Sequence, residues 1–182
     1  MNLQTLFRNP FASSVRIPKD VSLTSLIDPY SVYKEEANSN ALLLQVLAKA
    51  EAHAHFPWTF DMLPTSCCLF LYSQKGSGSI RIDGFTHPLQ ESSLLLLDCN
   101  RRYKLQIEAD AWDFQCFIIV GSGLSAFLSI LPPEGFLLTE VRQPSLCYSY
   151  LEQLDVLCYQ HKFSSRLQMS DLLHRIFTFC TL

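Results

Sequence analysis

The chain is predicted to be mainly β, a small antiparallel β-barrel or sandwich followed by two α-helices, and three observations predict it. Between Cys67 and Gly123 short apolar runs recur with tight breaks between them, the spacing of consecutive strands in an all-β domain. Within that stretch Ser79–Phe85 (SIRIDGF) sets Ile80 and Ile82 against Arg81 and Asp83, a period of two. From Tyr148 onward the apolar spacing becomes helical.

Residues 1–40 lack periodicity and carry the breakers Pro10, Pro18 and Pro29, so they read as an arm, with Val21–Ile27 (VSLTSLI) a short strand within it. In Ala41–His55 propensity and period disagree. Alanines and leucines favour helix, yet from Ala48 to His55 small apolar and polar residues alternate without a fault. A strand sorts them onto two faces where a helix would scatter them, so a strand is expected. Phe56–Met62 turns at Pro57 towards the central strands. The first of these is Cys67–Gln74 (CCLFLYSQ), broken by Gly76 and Gly78 within Lys75–Ser79, and Ser79–Phe85 follows. After a second break at Gly84–Pro88 come Ser93–Asp98, Tyr103–Glu108 (YKLQIE) and Trp112–Val120 (WDFQCFIIV). Leu124–Leu131 is short and apolar, and Pro132, Pro133 and Gly135 end it. One helix is expected over Tyr148–Tyr159 and a second from Ser164 or Ser165, with Leu167, Leu172, Leu173, Ile176, Phe177 and Cys180 as its stripe. The resulting divisions are an arm at 1–40, a barrel at 41–131 and a helical pair at 132–182. The chain closes on the apolar IFTFCTL, which predicts a fragment whose parent continues.

Composition narrows the function. Of 182 residues, 48% are hydrophobic and 12% aromatic, enough to drive collapse into one cored domain and to exclude a disordered tail. Lys and Arg number 14 against 17 Asp and Glu, a net charge of -3 that gives no reason to bind a polyanion directly. Seven cysteines, an odd count without CxxC pairs, fit neither a disulfide framework nor a zinc ribbon. Cys68, Cys116, Cys158 and Cys180 lie among apolar neighbours and read as reduced core thiols, which predicts the cytoplasm. No apolar leader is visible, and runs such as Leu94–Leu97 are too short to cross a bilayer, so no membrane partner is expected.

A family pattern runs through the central strands. Gly76-Ser77-Gly78 follows an apolar strand that ends in Tyr72, Asp83-Gly84 makes a turn, and Leu89 precedes the Leu94–Leu97 run. Trp112-Asp113-Phe114 then leads through Phe117 and Ile118 to Gly121. In order and spacing, roughly Trp58 to Gly123 resembles the amino-terminal, cupin-like sensor domain of AraC-family transcription regulators. It departs at Ser92-Ser93, where that family usually has Gly-Asp, and at Cys99, where it often has Pro.

The resemblance implies a cupin-like barrel, the double-stranded β-helix or jelly roll, that binds a small-molecule effector and controls a helix-turn-helix DNA-binding domain beyond Leu182. It also implies a homodimer. An arm folded over the pocket would make Phe7, Phe11 and Tyr30 a lid, and an arm that only covers edge strands is the alternative. A sugar suits aromatic walls with scattered polar groups, while fatty acids and aromatic acids fit similar barrels.

Trp58, Tyr72, Arg81, Tyr103, Trp112 and His55 lie on or beside expected strands and would supply stacking faces, polar groups and one fixed cation to such a ligand. They equally suit a filled core, and a one-residue change of register reverses which of them face inward. Cupin enzymes place a His-x-His pair on one inward-facing strand, which His53-Ala54-His55 brings to mind. A Glu shortly after and a third His on a later strand are missing, so neither metal nor cofactor is expected. No nucleophile elbow or phosphate loop is present, and a non-catalytic role is expected. The alternative is a stand-alone cupin isomerase or epimerase, with His55 and Tyr72 or Tyr103 as acid and base. On the last helix Leu172, Leu173, Ile176 and Phe177, extended by Met169, form an apolar stripe expected to make the dimer contact.

Overall fold

The computed structural model describes residues 21–25, 44–62, 64–160 and 163–181. In chain order the elements are β1 (Val21–Ser25), β2 (Gln45–His55), β3 (Thr59–Met62), β4 (Cys68–Ile82), β5 (Phe85–Leu89), β6 (Ser93–Asp98) and β7 (Tyr103–Val120). Then come α1 (Leu124–Leu128), β8 (Phe136–Glu140), α2 (Pro144–Cys158) and α3 (Phe163–Thr181). The expected arm residues Phe7, Phe11 and Tyr30 lie outside the described residues.

Among the described residues the strands form one antiparallel sheet in the order β1-β2-β7-β4-β6-β8, with β3 added to β7 and β5 to β4. The long strands β4 and β7 are its spine, paired from Cys68 opposite Ile119 to Ile82 opposite Tyr103. Their ladder slips between Ser73 and Lys75 and again between Gly76 and Gly78, where Gly76 faces Trp112 but Gly78 faces Ile107. Such bulges bend a sheet and strengthen its twist. Here they fold the half carrying β3 and β5 over the half carrying β2, β6 and β8. No pairing closes the sheet among the described residues, so the expected closed barrel is an open, folded sheet.

Four expectations change with it. Gly76-Ser77-Gly78 does not end a strand: β4 runs through it, Gly76 supplying the positive φ of 74° and Gly78 the room for a tryptophan ring. The break between Glu108 and Trp112 is likewise a bend within β7. The stretch Gly84–Pro88 holds β5, which pairs with β4 across the Asp83-Gly84 turn, both turn residues having positive φ (49° and 89°). Phe136–Glu140, placed with the helical pair by the sequence reading, adds to β6 and extends the sheet past Pro132 and Pro133.

The expected strand at Ala48–His55 is present. Ala48, Ala52 and Ala54 enter the interior cluster while Glu51, His53 and His55 stay exposed. Ala54 lies opposite Trp112 and Ala52 opposite Phe114, so the small side chains of β2 make room for the rings of β7.

The sheet's other face carries Phe70, Tyr72, Leu94, Leu96, Phe117 and Ile119, and α1, α2 and α3 cover it. Pro144 opens α2, where its missing N–H costs nothing, and Cys147, Leu151, Leu154 and Cys158 turn inward. From α3, Ser170 Oγ and Met169 Sδ accept the Leu44 and Val46 backbone N–H groups at 3.0 and 3.3 Å. Buried Lys49 of β2 reaches Asp155 of α2 at 2.5 Å and Glu51 at 2.8 Å. Burial pulls its pKa down, but hydrogen bonds and the two carboxylate charges outweigh that and hold it above the ordinary 10.5. Leu172, Leu173, Ile176 and Phe177 are buried in this same layer, Phe177 stacked on Phe127 at 3.6 Å. The stripe expected to meet a second copy thus packs within its own chain, because the apolar outer face of the sheet needs that cover. No described helix is long and apolar enough to cross a membrane.

Candidate functional site

The interior of the folded sheet gathers three of the six expected ligand-contacting residues. Trp112 is 0% and Trp58 5% exposed, and Tyr103 is buried with them. Trp58 meets Trp112 edge-on at 6.3 Å, stacks on Phe60 at 6.3 Å and lies 5.5 Å from Phe114. Trp112 and Phe114 are 4.2 Å apart, and Phe60 lies 6.5 Å from Tyr103. Phe60 and Phe114 were not anticipated, although each sits two residues beyond a tryptophan, the spacing that puts both on one face of a strand.

Most polar groups of this interior are engaged. Trp112 Nε1 donates to Ser73 Oγ at 2.9 Å. The Tyr103 hydroxyl and the Cys67 thiol both hydrogen-bond Cys99. The Cys99 bond and burial push the Cys67 thiol well above its ordinary range, and burial does the same to the Tyr103 phenol. These are inert, protonated core groups. Trp58 Nε1 differs. Among the described residues it is the one buried side-chain nitrogen or oxygen without a hydrogen-bond partner.

The other three expected residues lie elsewhere. Tyr72 faces the helical layer, edge-on to Tyr148 at 5.4 Å, and burial pushes its phenol up to about 12 against a hydrogen bond from Ser92. Arg81 points to solvent between inward-facing Ile80 and Ile82, opposite Lys104. His55 is exposed, and His53, its side chain 78% exposed, pairs with Asp113 at 3.1 Å on the outer face. The His-x-His pair therefore points away from the interior, and among the described residues no three His, Cys, Asp or Glu side chains are grouped to hold a metal ion.

No family model matches the chain, and no curated protein sequence does. Solved structures do. ToxT of Vibrio cholerae, in a form with unsaturated fatty acid bound, is similar with a TM-score of 0.50 at 14% identity, over 78% of this chain and 54% of ToxT. This likeness shows the fold alone, an antiparallel β-sheet with helices packed on one face. The chain spans about half the length of ToxT. A Cupin 2 domain of an XRE-family transcriptional regulator from Enterobacter cloacae has a TM-score of 0.40 at 11% identity, over 55% of this chain and 96% of that one. An enzyme is similar too: oxalate decarboxylase of Bacillus subtilis, which has Mn(II) centres, has a TM-score of 0.42 at 15% identity, over 60% and 28%.

Proposed function

We propose that the chain is the effector-sensing portion of an AraC-type transcription regulator, binding a small molecule inside the folded sheet and controlling a separate helix-turn-helix DNA-binding domain. The observation that carries this reading is the double use of one set of strands. Leu69 and Leu71 of β4 line the interior, while Phe70 and Tyr72 of the same strand support α2 and α3. A ligand that shifts the interior wall shifts the floor beneath the helices, by no more than its differential affinity for the two arrangements. The motif order from Trp58 to Gly123 supports the AraC assignment. The shared fold of fatty-acid-bound ToxT is in keeping with a small-molecule effector. The outward direction of His53 and His55 favours a non-catalytic role.

The regulator would act in the cytoplasm as a homodimer. With the α3 stripe buried, contact between copies would fall to the outer surface of the helices, where Val156 and Tyr159 are exposed. The test is a thermal-shift screen of small molecules, followed by amide hydrogen exchange with any compound that raises Tm. Slower exchange in α2 and α3 is expected. A screen without a stabilising compound, or one whose compounds leave α2 and α3 unchanged, would overturn the reading.

A further inference from the structure

We infer that the indole N–H of Trp58 is the anchor of the effector site, and that the effector is a mainly apolar molecule carrying one carbonyl-type hydrogen-bond acceptor. The inference rests on the small-molecule reading above and names the donor atom and the ligand class.

Trp58 Nε1 is a donor shut away from water with nothing to donate to, which is costly and rare in a folded protein. The other indole shows what the interior ordinarily provides, since Trp112 Nε1 has Ser73. Around Trp58 the walls are Phe60, Trp112 and Phe114, and the nearby thiols and phenol already bond one another. Such a surface offers an entering molecule stacking faces and one free donor. A sugar, with several hydroxyls to satisfy, would be left with most of them unpaired. An aromatic or aliphatic body with a single acceptor would satisfy Trp58 and lose little of its own hydration. The position also has an approach. Trp58 immediately precedes β3, which pairs only with β7 among the described residues, and half-buried Phe60 stands on that unpaired edge.

Trp58 and Trp112 are the only tryptophans of the chain, so a nitrogen-15 spectrum has two indole signals, assigned through Trp58→Phe. The probes are 2-acetylnaphthalene, its acceptor-free analogue 2-ethylnaphthalene, and D-glucose. We expect the acetyl compound to move the Trp58 indole proton downfield while the Trp112 signal stays nearly still. It should bind the wild type about ten-fold more tightly than the ethyl compound, the worth of one hydrogen bond, and Trp58→Phe should abolish that margin. Without ligand, Trp58→Phe should lower Tm less than Trp112→Phe does, because it removes a donor that has no partner whereas Trp112→Phe also breaks the bond to Ser73. Equal binding of the two naphthalenes, binding of neither, or a Trp58→Phe variant that keeps the margin would overturn the inference. If D-glucose alone raised Tm, the ligand class would fall while the small-molecule reading stood. If a broad screen found no stabilising compound, both would fall.

Discussion

Gly78 should be tied energetically to Trp112, and a double-mutant cycle measures the tie. A Cβ added at Gly78 would lie 2.4, 2.5 and 2.7 Å from three carbons of the Trp112 ring, where apolar contacts settle near 3.5–4.0 Å. The ring has nowhere to go. Phe114 is 4.2 Å from it, Ala54 sits opposite across the ladder, and Nε1 is held by Ser73 at 2.9 Å. Overpacking of this kind costs about 1–3 kcal/mol, so Gly78→Ala should lower Tm by roughly 2–12 °C at 2–4 °C per kcal/mol for a chain of this size. Trp112→Ala alone should cost about 3–5 kcal/mol, through the lost ring and the cavity it leaves. Once the ring is gone the new methyl has space, and alanine is the better strand residue by about 0.5–1 kcal/mol. Gly78→Ala should then be neutral or stabilising in the Trp112→Ala background, a coupling of about 1–4 kcal/mol. Urea denaturation of the four proteins reads it directly. Additivity within about 0.5 kcal/mol would refute the claim that the ring dictates the glycine.

Three further outcomes are expected. Leu173→Glu should collapse the helical layer and unfold the chain, while Ile130→Glu, at a site 60% exposed, should change stability by less than about 0.5 kcal/mol; a folded Leu173→Glu variant in circular dichroism would contradict this packing. Purified protein should carry no stoichiometric zinc, iron or manganese by elemental analysis, and His53→Ala with His55→Ala should cost no more than about 0.5 kcal/mol. Alkali should destabilise: burial pushes Cys147 and Cys158 up to about 12, so the folded state keeps protons that an unfolded thiol sheds near 9.0, and stability falls from about pH 9 towards 12. Lys49 adds a later loss, since its ion pairs are fully formed below 10.5 and fail as pH climbs through its raised value. Urea midpoints that stay flat from pH 8 to 11, or a fall just as steep after replacing both thiols by alanine, would count against this.

What the sequence revealed and what it hid have one physical cause. The alternation at Ala48–His55 was legible because every alanine in it is buried, Ala52 and Ala54 directly across the ladder from Phe114 and Trp112, a local parity that the sequence displays. Glycines in the middle of β4 were not legible as strand, because the reason for Gly78 is a ring brought over from β7. The strand β5 was hidden by Pro88, tolerated because among the described residues β5 is an edge strand with only β4 beside it.

The same bulges explain which site residues were placed correctly. Before them, the odd-numbered Leu69 and Leu71 of β4 face inward; after them, the even-numbered Ile80 and Ile82 do. β7 makes the matching change, from Tyr103, Leu105 and Ile107 to Trp112, Phe114 and Ile118. A strand that switches parity in mid-course gives no single rule for which aromatic lines the interior. Tyr72 therefore falls on the helix side although Tyr103 and Trp112 fall inside, and Arg81, between two inward isoleucines, falls in solvent. The switch also divides the labour of β4. Its first half is sandwiched between interior and helices, so Leu71 and Tyr72, adjacent in sequence, touch different cores. Its second half, past Gly78, adds only to the interior cluster. The interior and the helical layer thus meet across the first half of β4, where Leu69 and Leu71 line the one and Phe70 and Tyr72 the other.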